Sequence, residues 1–245
     1  MNKNSRAFAA SRQVMGSALG WLLVWLAGGA LAVWLESSFA VVALVVAGIW
    51  LLFSVFTLYF FRDPTAHVPT APEAVVAPAH GLVDCVEETT EPEFLGGPCR
   101  RISIFLSVFD VHVQNVPVTG KIAFLKHQPG QFLSALKTES ARCNENTLIG
   151  IESGERPGER VAVRQIAGLI ARRIVTWLNV GDAVARGQRL GLIQYGSRCD
   201  LYLPPHFQVV VRPGDRVKGE ETIVARRNQE RLQRAPSQEN SKERK

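Results

Sequence analysis

The sequence has little of what builds familiar metal and redox sites. Its four cysteines, Cys85, Cys99, Cys143 and Cys199, form no C-x-x-C pair, which excludes zinc-ribbon and thioredoxin-type chemistry. The five histidines form no H-x-x-x-H pattern, so no metal site is expected and the thiols read as reduced and structural. P-loop, G-x-G-x-x-G, G-x-S-x-G and H-E-x-x-H patterns are all missing, and with them the nucleotide, α/β-hydrolase and zincin readings. Charge is missing as well. None occurs from Gln13 to Leu35 or from Ser37 to Phe61, and only Glu36 separates the two stretches.

What is present divides the 245-residue chain. Residues 16–35 and 38–61 each match the ~20 apolar residues that cross a bilayer as a helix. Trp34 and Tyr59-Phe60-Phe61 sit at span ends, where interfacial aromatics collect. Lys3, Arg6 and Arg12 precede the first span and Arg62 follows the second, so both ends are expected in the cytoplasm. The expected partition is a basic segment 1–15, a transmembrane helical hairpin 16–61, a Pro-rich connector 62–76, a catalytic domain 77–225 and a disordered basic tail 226–245. The expected location is the cell membrane, with the catalytic domain in the cytoplasm.

The net charge of +6 comes from the ends, with +3 in residues 1–12 and +4 in residues 226–245. A nucleic-acid binder carries its basic surface on the folded domain, so nucleic acid is not an expected partner. For the tail, contact with anionic lipid headgroups and a solvated state both stay open.

From Val75 onward, short apolar or alternating runs lie between Gly and Pro breaks: residues 101–108, 120–125, 147–152, 161–169, 189–194, 200–203 and 208–211. Such runs predict a mainly β, antiparallel domain, with short helices around residues 132–134 and 171–177. A weak repeat joins VGDAVARGQRL (180–190) to RPGDRVKGEETI (212–223), each with Gly-Asp-x-Val and a later Gly, which suit tight turns. This punctuation resembles barrel-sandwich-hybrid folds such as lipoyl and biotinyl domains. No lysine stands in the M-K-M or D-K-A setting that would carry either group.

Six segments in order carry a more specific resemblance: FFRDP (60–64), APAHGLV (77–83), FLSVFDVHVQNVPVTGKI (105–122), ENTLIGIE (145–152), RQIAGLIARRIVTW (164–177) and RLGLIQYGSRCDLYLP (189–204). Together they are similar to the short, membrane-anchored phosphatidylserine decarboxylases of bacteria and archaea, from the apolar spans to about Ala225. The resemblance implies pyruvoyl-dependent decarboxylation of phosphatidylserine to phosphatidylethanolamine. Losing CO₂ from an amino acid needs an electron sink that no standard side chain provides. By analogy the chain makes that sink itself: Ser197 Oγ attacks the Gly196 carbonyl, the ester eliminates, and position 197 becomes a pyruvoyl group. Chains 1–196 and 197–245 would stay associated, and a homo-oligomer is compatible with the reading.

In the same resemblance His112, in Asp-Val-His, donates the proton to the substrate carbon; for Arg172 and Arg173, binding of the lipid phosphate and solvated charges on a strand edge both stay open. Two positions depart from the family pattern. Family members carry S-P-A-D-G where this chain has Ala77-Pro78-Ala79-His80-Gly81, so His80 replaces an aspartate of self-cleavage and is the candidate base. Further on, Gln114-Asn115 replaces Asn-Arg or a second histidine, and Asn115 can be neither acid nor base. Two alternatives remain at this point. One is an unprocessed homologue that binds lipid or a partner at the membrane, and the other is a decarboxylase of a related serine lipid such as archaetidylserine.

Overall fold

A computed structural model describes residues 16, 19–31, 34, 40–131, 143–168, 173–193 and 197–228. The helix expected at 132–134, together with Gly196 and Arg172, lies outside the described residues. The chain forms two compact units, Met1–Pro64 with Val108–His112, and Thr65–Ser107 with Val113–Lys245.

The first unit holds two apolar helices, α1 (Leu19–Leu31) and α2 (Ala40–Phe60). Among the described residues one helical stretch, Val41–Phe60, is long and apolar enough to cross a membrane. Large apolar side chains such as Val42, Leu44, Ile49 and Leu52 face outward along it, the reverse of a soluble amphipathic helix. Its serine and threonine hydroxyls are satisfied within the helix: Ser54 Oγ donates to Trp50 O at 2.7 Å and Thr57 Oγ1 to Phe53 O at 2.8 Å. An apolar surrounding demands that internal pairing. The two helices meet at small residues, where a Cβ on Gly29 would lie 3.8 Å from Ala43 Cβ.

The second unit is mainly β, and its strand pairs are antiparallel. The strands are β1 (Ala74–Val76), β2 (Gly81–Glu91), β3 (Gly97–Leu106), β4 (Val113–Asn115), β5 (Gly120–Gln128), β6 (Asn146–Ser153) and β7 (Arg160–Ala167). They continue as β8 (Ile174–Thr176), β9 (Ala183–Val184), β10 (Arg189–Ile193), β11 (Ser197–Leu203), β12 (Phe207–Val209), β13 (Arg216–Val217) and β14 (Ile223–Arg227). One large sheet runs β13-β2-β3-β11-β7-β6-β5-β9, beside the smaller sheets β1-β14-β12 and β4-β10-β8. Ile102, Ile104 and Leu106 of β3, Val161 and Val163 of β7, and Cys199 and Leu201 of β11 belong to one buried core.

The expected helix at 171–177 is corrected where it is described, because Ile174–Thr176 is strand β8, paired with β10. Its Ile-Val-Thr run is β-branched and favours a pleated surface. The partner strand supplies Gly191, where a Cβ would lie 2.4 Å from Val175 O. At the C-terminus β14 continues to Arg227, two residues past the expected domain boundary.

The repeat has a common geometry. Asp182 Oδ2 accepts from Asn179 N and Asp215 Oδ2 from Arg212 N, both at 2.8 Å. Gly181 and Gly214 sit at φ of 95° and 97°, left-handed conformations that glycine adopts freely.

The β2–β3 hairpin turns on one carboxylate. Glu91 is buried and accepts from the backbone N–H of Glu93, Phe94 and Leu95 at 3.0, 2.8 and 2.7 Å. Glu91→Ala would leave these donors unmatched and should destabilise the protein by about 2 kcal/mol. A thermal melt of the full-length protein in detergent checks this, and an unchanged midpoint would contradict it.

Candidate active site

Ser197 opens β11, the strand between β3 and β7, and its register partners are Leu106 and Ala167. Every residue of β11 is buried. Alternation along the strand sends Ser197, Cys199, Leu201 and Leu203 to one face and Arg198, Asp200 and Tyr202 to the other. The Ser197 hydroxyl is fully buried and, among the described residues, makes no hydrogen bond. Leaving a buried hydroxyl unpaired costs about 1–3 kcal/mol, so packing alone does not explain a serine here.

The opposite face of β11 fixes the strand. Asp200 is fully buried, with Arg198 Nε at 2.9 Å and Arg101 Nη1 of β3 at 3.7 Å. Arg198 Nη1 also reaches Asp84 Oδ2 of β2 at 3.3 Å. Burial raises the Asp84 carboxyl above its ordinary range, against the lowering pull of Arg198.

His80 directly precedes β2. The register puts the start of β2, the end of β3 and the start of β11 at one end of the sheet. The backbones at His80 and Ser197 are therefore two strand spacings apart, roughly 10 Å. His80 borders a small cluster. A Cβ on Gly219 would lie 2.8 Å from His80 Cδ2 and 3.0 Å from both His80 Nε2 and Asn115 Oδ1. Asn115 is buried, and its Nδ2 donates to Gly187 O and Glu220 Oε2, both at 3.2 Å. Two acceptors on that side fix the amide's orientation. Its Oδ1 is buried without a hydrogen bond. Glu220, also buried and at φ 57°, pairs with Arg189 Nη1 at 2.5 Å.

Asn115 thus has a place that its chemistry alone did not indicate, linking the neighbourhood of His80 to a buried carboxylate. Glu220, Gly219 and Arg189 were missed in the sequence. The signal was the second Gly of the repeat, read there only as turn punctuation.

Arg173 is exposed and immediately precedes β8. Ile174 pairs with Ile193, so Arg173 stands one residue past that pair, at the end of β10 from which the chain continues to Ser197.

His112 belongs to the first unit, with α2. It is fully buried, and its ring packs on Phe60 with centroids 4.1 Å apart. Its Nδ1 lies 2.8 Å from Asp110 O. A carbonyl can only accept, so Nδ1 carries the hydrogen and Nε2 is the basic nitrogen. Burial lowers the His112 pKa to about 4, helped by the positive charge of Arg62 and opposed by the Asp110 carbonyl.

The phosphatidylserine decarboxylase family model matches residues 53–225. The chain is 46% identical over 176 residues to a phosphatidylserine decarboxylase proenzyme of Desulfotalea psychrophila, covering 72% of this chain and 81% of that one. A proenzyme of the same name from Symbiobacterium thermophilum is 46% identical over 173 residues, with coverages of 71% and 80%. One from Solibacter usitatus is 41% identical over 215 residues, with coverages of 88% and 97%.

The pKa of about 4 for His112 has a consequence for stability. Unfolded histidine titrates near 6.5, so as pH falls the unfolded chain takes up this proton first. Stability therefore drops from about pH 6.5 toward pH 4. Histidine-selective NMR on the full-length protein should place the His112 midpoint near pH 4, and a midpoint at the ordinary value would contradict it.

Proposed function

The chain belongs to the phosphatidylserine decarboxylase family, and from that premise we propose that Ser197 is both its maturation site and the source of its pyruvoyl group. The activity is removal of the carboxylate of phosphatidylserine, giving phosphatidylethanolamine. The observation that carries the proposal for Ser197 is its fully buried hydroxyl without a hydrogen bond among the described residues. A side chain that packing does not need fits one kept for chemistry.

In maturation, Ser197 Oγ adds to the Gly196 carbonyl carbon while His80 takes the hydroxyl proton. The bond from that carbon to the Ser197 nitrogen breaks, the nitrogen takes up a proton, and an ester joins the two segments. Loss of the Ser197 Cα proton then expels the Gly196 carboxylate. Water hydrolyses the resulting enamine at position 197, releasing ammonia and leaving the pyruvoyl carbonyl. Asn115 Oδ1 and His80 Nε2 border the same glycine, Gly219. Glu220 and Arg189 hold Asn115 from the other side.

The pyruvoyl group supplies the sink for the electron pair left on the substrate carbon when CO₂ departs. The other roles fall to this chain's own side chains. His112 Nε2 is the ring atom that can carry a proton to that carbon, and its depressed pKa makes the protonated ring a strong donor. Arg173, and with it Arg172, meets the lipid phosphate. Chains 1–196 and 197–245 stay together because β11 is paired along its length with β3 and along most of it with β7.

The finer features of the reading belong to this proposal too. The fold is of barrel-sandwich-hybrid type, supported by its antiparallel strand pairing and the repeated Gly-Asp turns. Residues 16–61 form a membrane hairpin, supported by the outward apolar surface of α2. The β domain faces the cytoplasm, where a lipid headgroup is presented to it.

Intact mass of the full-length protein tests the proposal. The wild type should yield a 49-residue fragment, 197–245, with a blocked, carbonyl-reactive end. Ser197→Ala should remain one chain of 27.0 kDa. His80→Ala should slow cleavage at least about tenfold, within the range that general bases contribute. A wild type that stays uncleaved and inactive would instead favour the unprocessed lipid-binding homologue.

A further inference from the structure

The segment FFRDP belongs to the family resemblance, yet none of the roles above uses it. In the first unit its residues and the preceding Tyr59 meet the loop that carries His112. Arg62 follows the last turn of α2 and spans two backbone carbonyls with its planar fork. Nη1 donates to Tyr59 O at 2.8 Å and Nη2 to Phe109 O at 2.6 Å. The guanidinium also lies 3.8 Å from the centre of the Tyr59 ring. The Tyr59 hydroxyl donates to the same Phe109 carbonyl at 3.1 Å.

The Phe109 side chain is 63% exposed, and the carbonyl of this residue ties the loop to the helix end. Two donors on one carbonyl fix the plane of the Phe109–Asp110 peptide. The next carbonyl, Asp110 O, is the acceptor that sets the tautomer and angle of His112. Phe60, between Tyr59 and Arg62, supplies the ring against which the imidazole lies. One helix end therefore grips the loop on one side and stacks on its histidine on the other.

We propose that Arg62 and Tyr59 are positioning residues for decarboxylation, holding the 108–112 loop by the Phe109 carbonyl and so aiming His112 Nε2. The inference rests on the reading of His112 as the proton-delivering group. Its stake is geometric, because a misplacement of about 1 Å at a reacting group costs up to about 10²-fold in rate. Among the described residues, the charged groups acting on the histidine include Asp110 from its own loop and Arg62 from the helix end. Arg62 opposes protonation of the ring, while the Asp110 charge favours it.

The test compares Arg62→Gln, Arg62→Lys, Tyr59→Phe and His112→Asn in the full-length protein, assayed on vesicles containing phosphatidylserine. All four should mature to the two-chain form, which reports folding separately from turnover. Arg62→Gln should lower kcat about tenfold at unchanged KM, as expected for loss of a charge-assisted hydrogen bond. Its His112-dependent limb in the kcat–pH profile should move to higher pH, because a positive charge beside the ring is gone. Arg62→Lys should lose kcat while keeping that limb in place, and Tyr59→Phe should lose less. If both Arg62 variants keep kcat within about twofold with the limb unmoved while His112→Asn is inactive, the positioning role is overturned. If His112→Asn itself is fully active, the reading of His112 falls, and this inference with it.

Discussion

The structure depends on pairing a carboxylate buried inside a sheet. Asp200 has no exposed surface and sits on the central strand of the β2-β3-β11-β7 array. An isolated buried charge would cost far more than a fold of this size can spare. Arg198 and Arg101 neutralise it, and Arg198 reaches on to Asp84, so three strands share one electrostatic network. Such a network adds little net stability, but breaking one member is severe. Its result is a β11 that cannot slide in register. Ser197, on the other face of the same strand, inherits that fixed position.

Much of the β unit was legible because its strands announce themselves locally. Residues 101–108, 120–125, 147–152 and 161–169 read as strands from apolar runs between breakers, and β3, β5, β6 and β7 lie there. The long β2 was not legible, since Asp84, Glu87, Glu88 and Thr90 interrupt any simple alternation. It is defined by pairing with β3, which no local pattern displays. The segment 171–177 failed for a related reason. Beyond its short β-branched run, its pairing relies on a glycine on a partner strand, Gly191, that admits the Val175 carbonyl.

The candidate site divides the same way. Ser197, His80 and His112 stood out through short motifs around chemically capable side chains. Glu220 did not, although it is buried beside Asn115 and more than a hundred residues from it in sequence. A carboxylate in a turn is normally solvated, and only the fold reveals that this one is enclosed by Asn115 and Arg189. The two departures from the family pattern, His80 and Asn115, border the same glycine. They look unrelated along the chain and are neighbours in space.

The placement of β11 has a consequence for assembly. The proposed cut before Ser197 would create a chain end at an interior strand rather than at a sheet edge, with β3 on one side and β7 on the other. The 197–245 piece also contributes β14 to the β1-β14-β12 sheet and β13 to the margin of the large one. The severed product would be two interwoven polypeptides, laced together by backbone ladders formed while they were still one. Weaving must therefore come before severing. A central strand made separately would have to pry apart a pair of neighbours that had already closed on each other. Under the proposed maturation, the single chain would act as its own template, with folding ahead of cleavage.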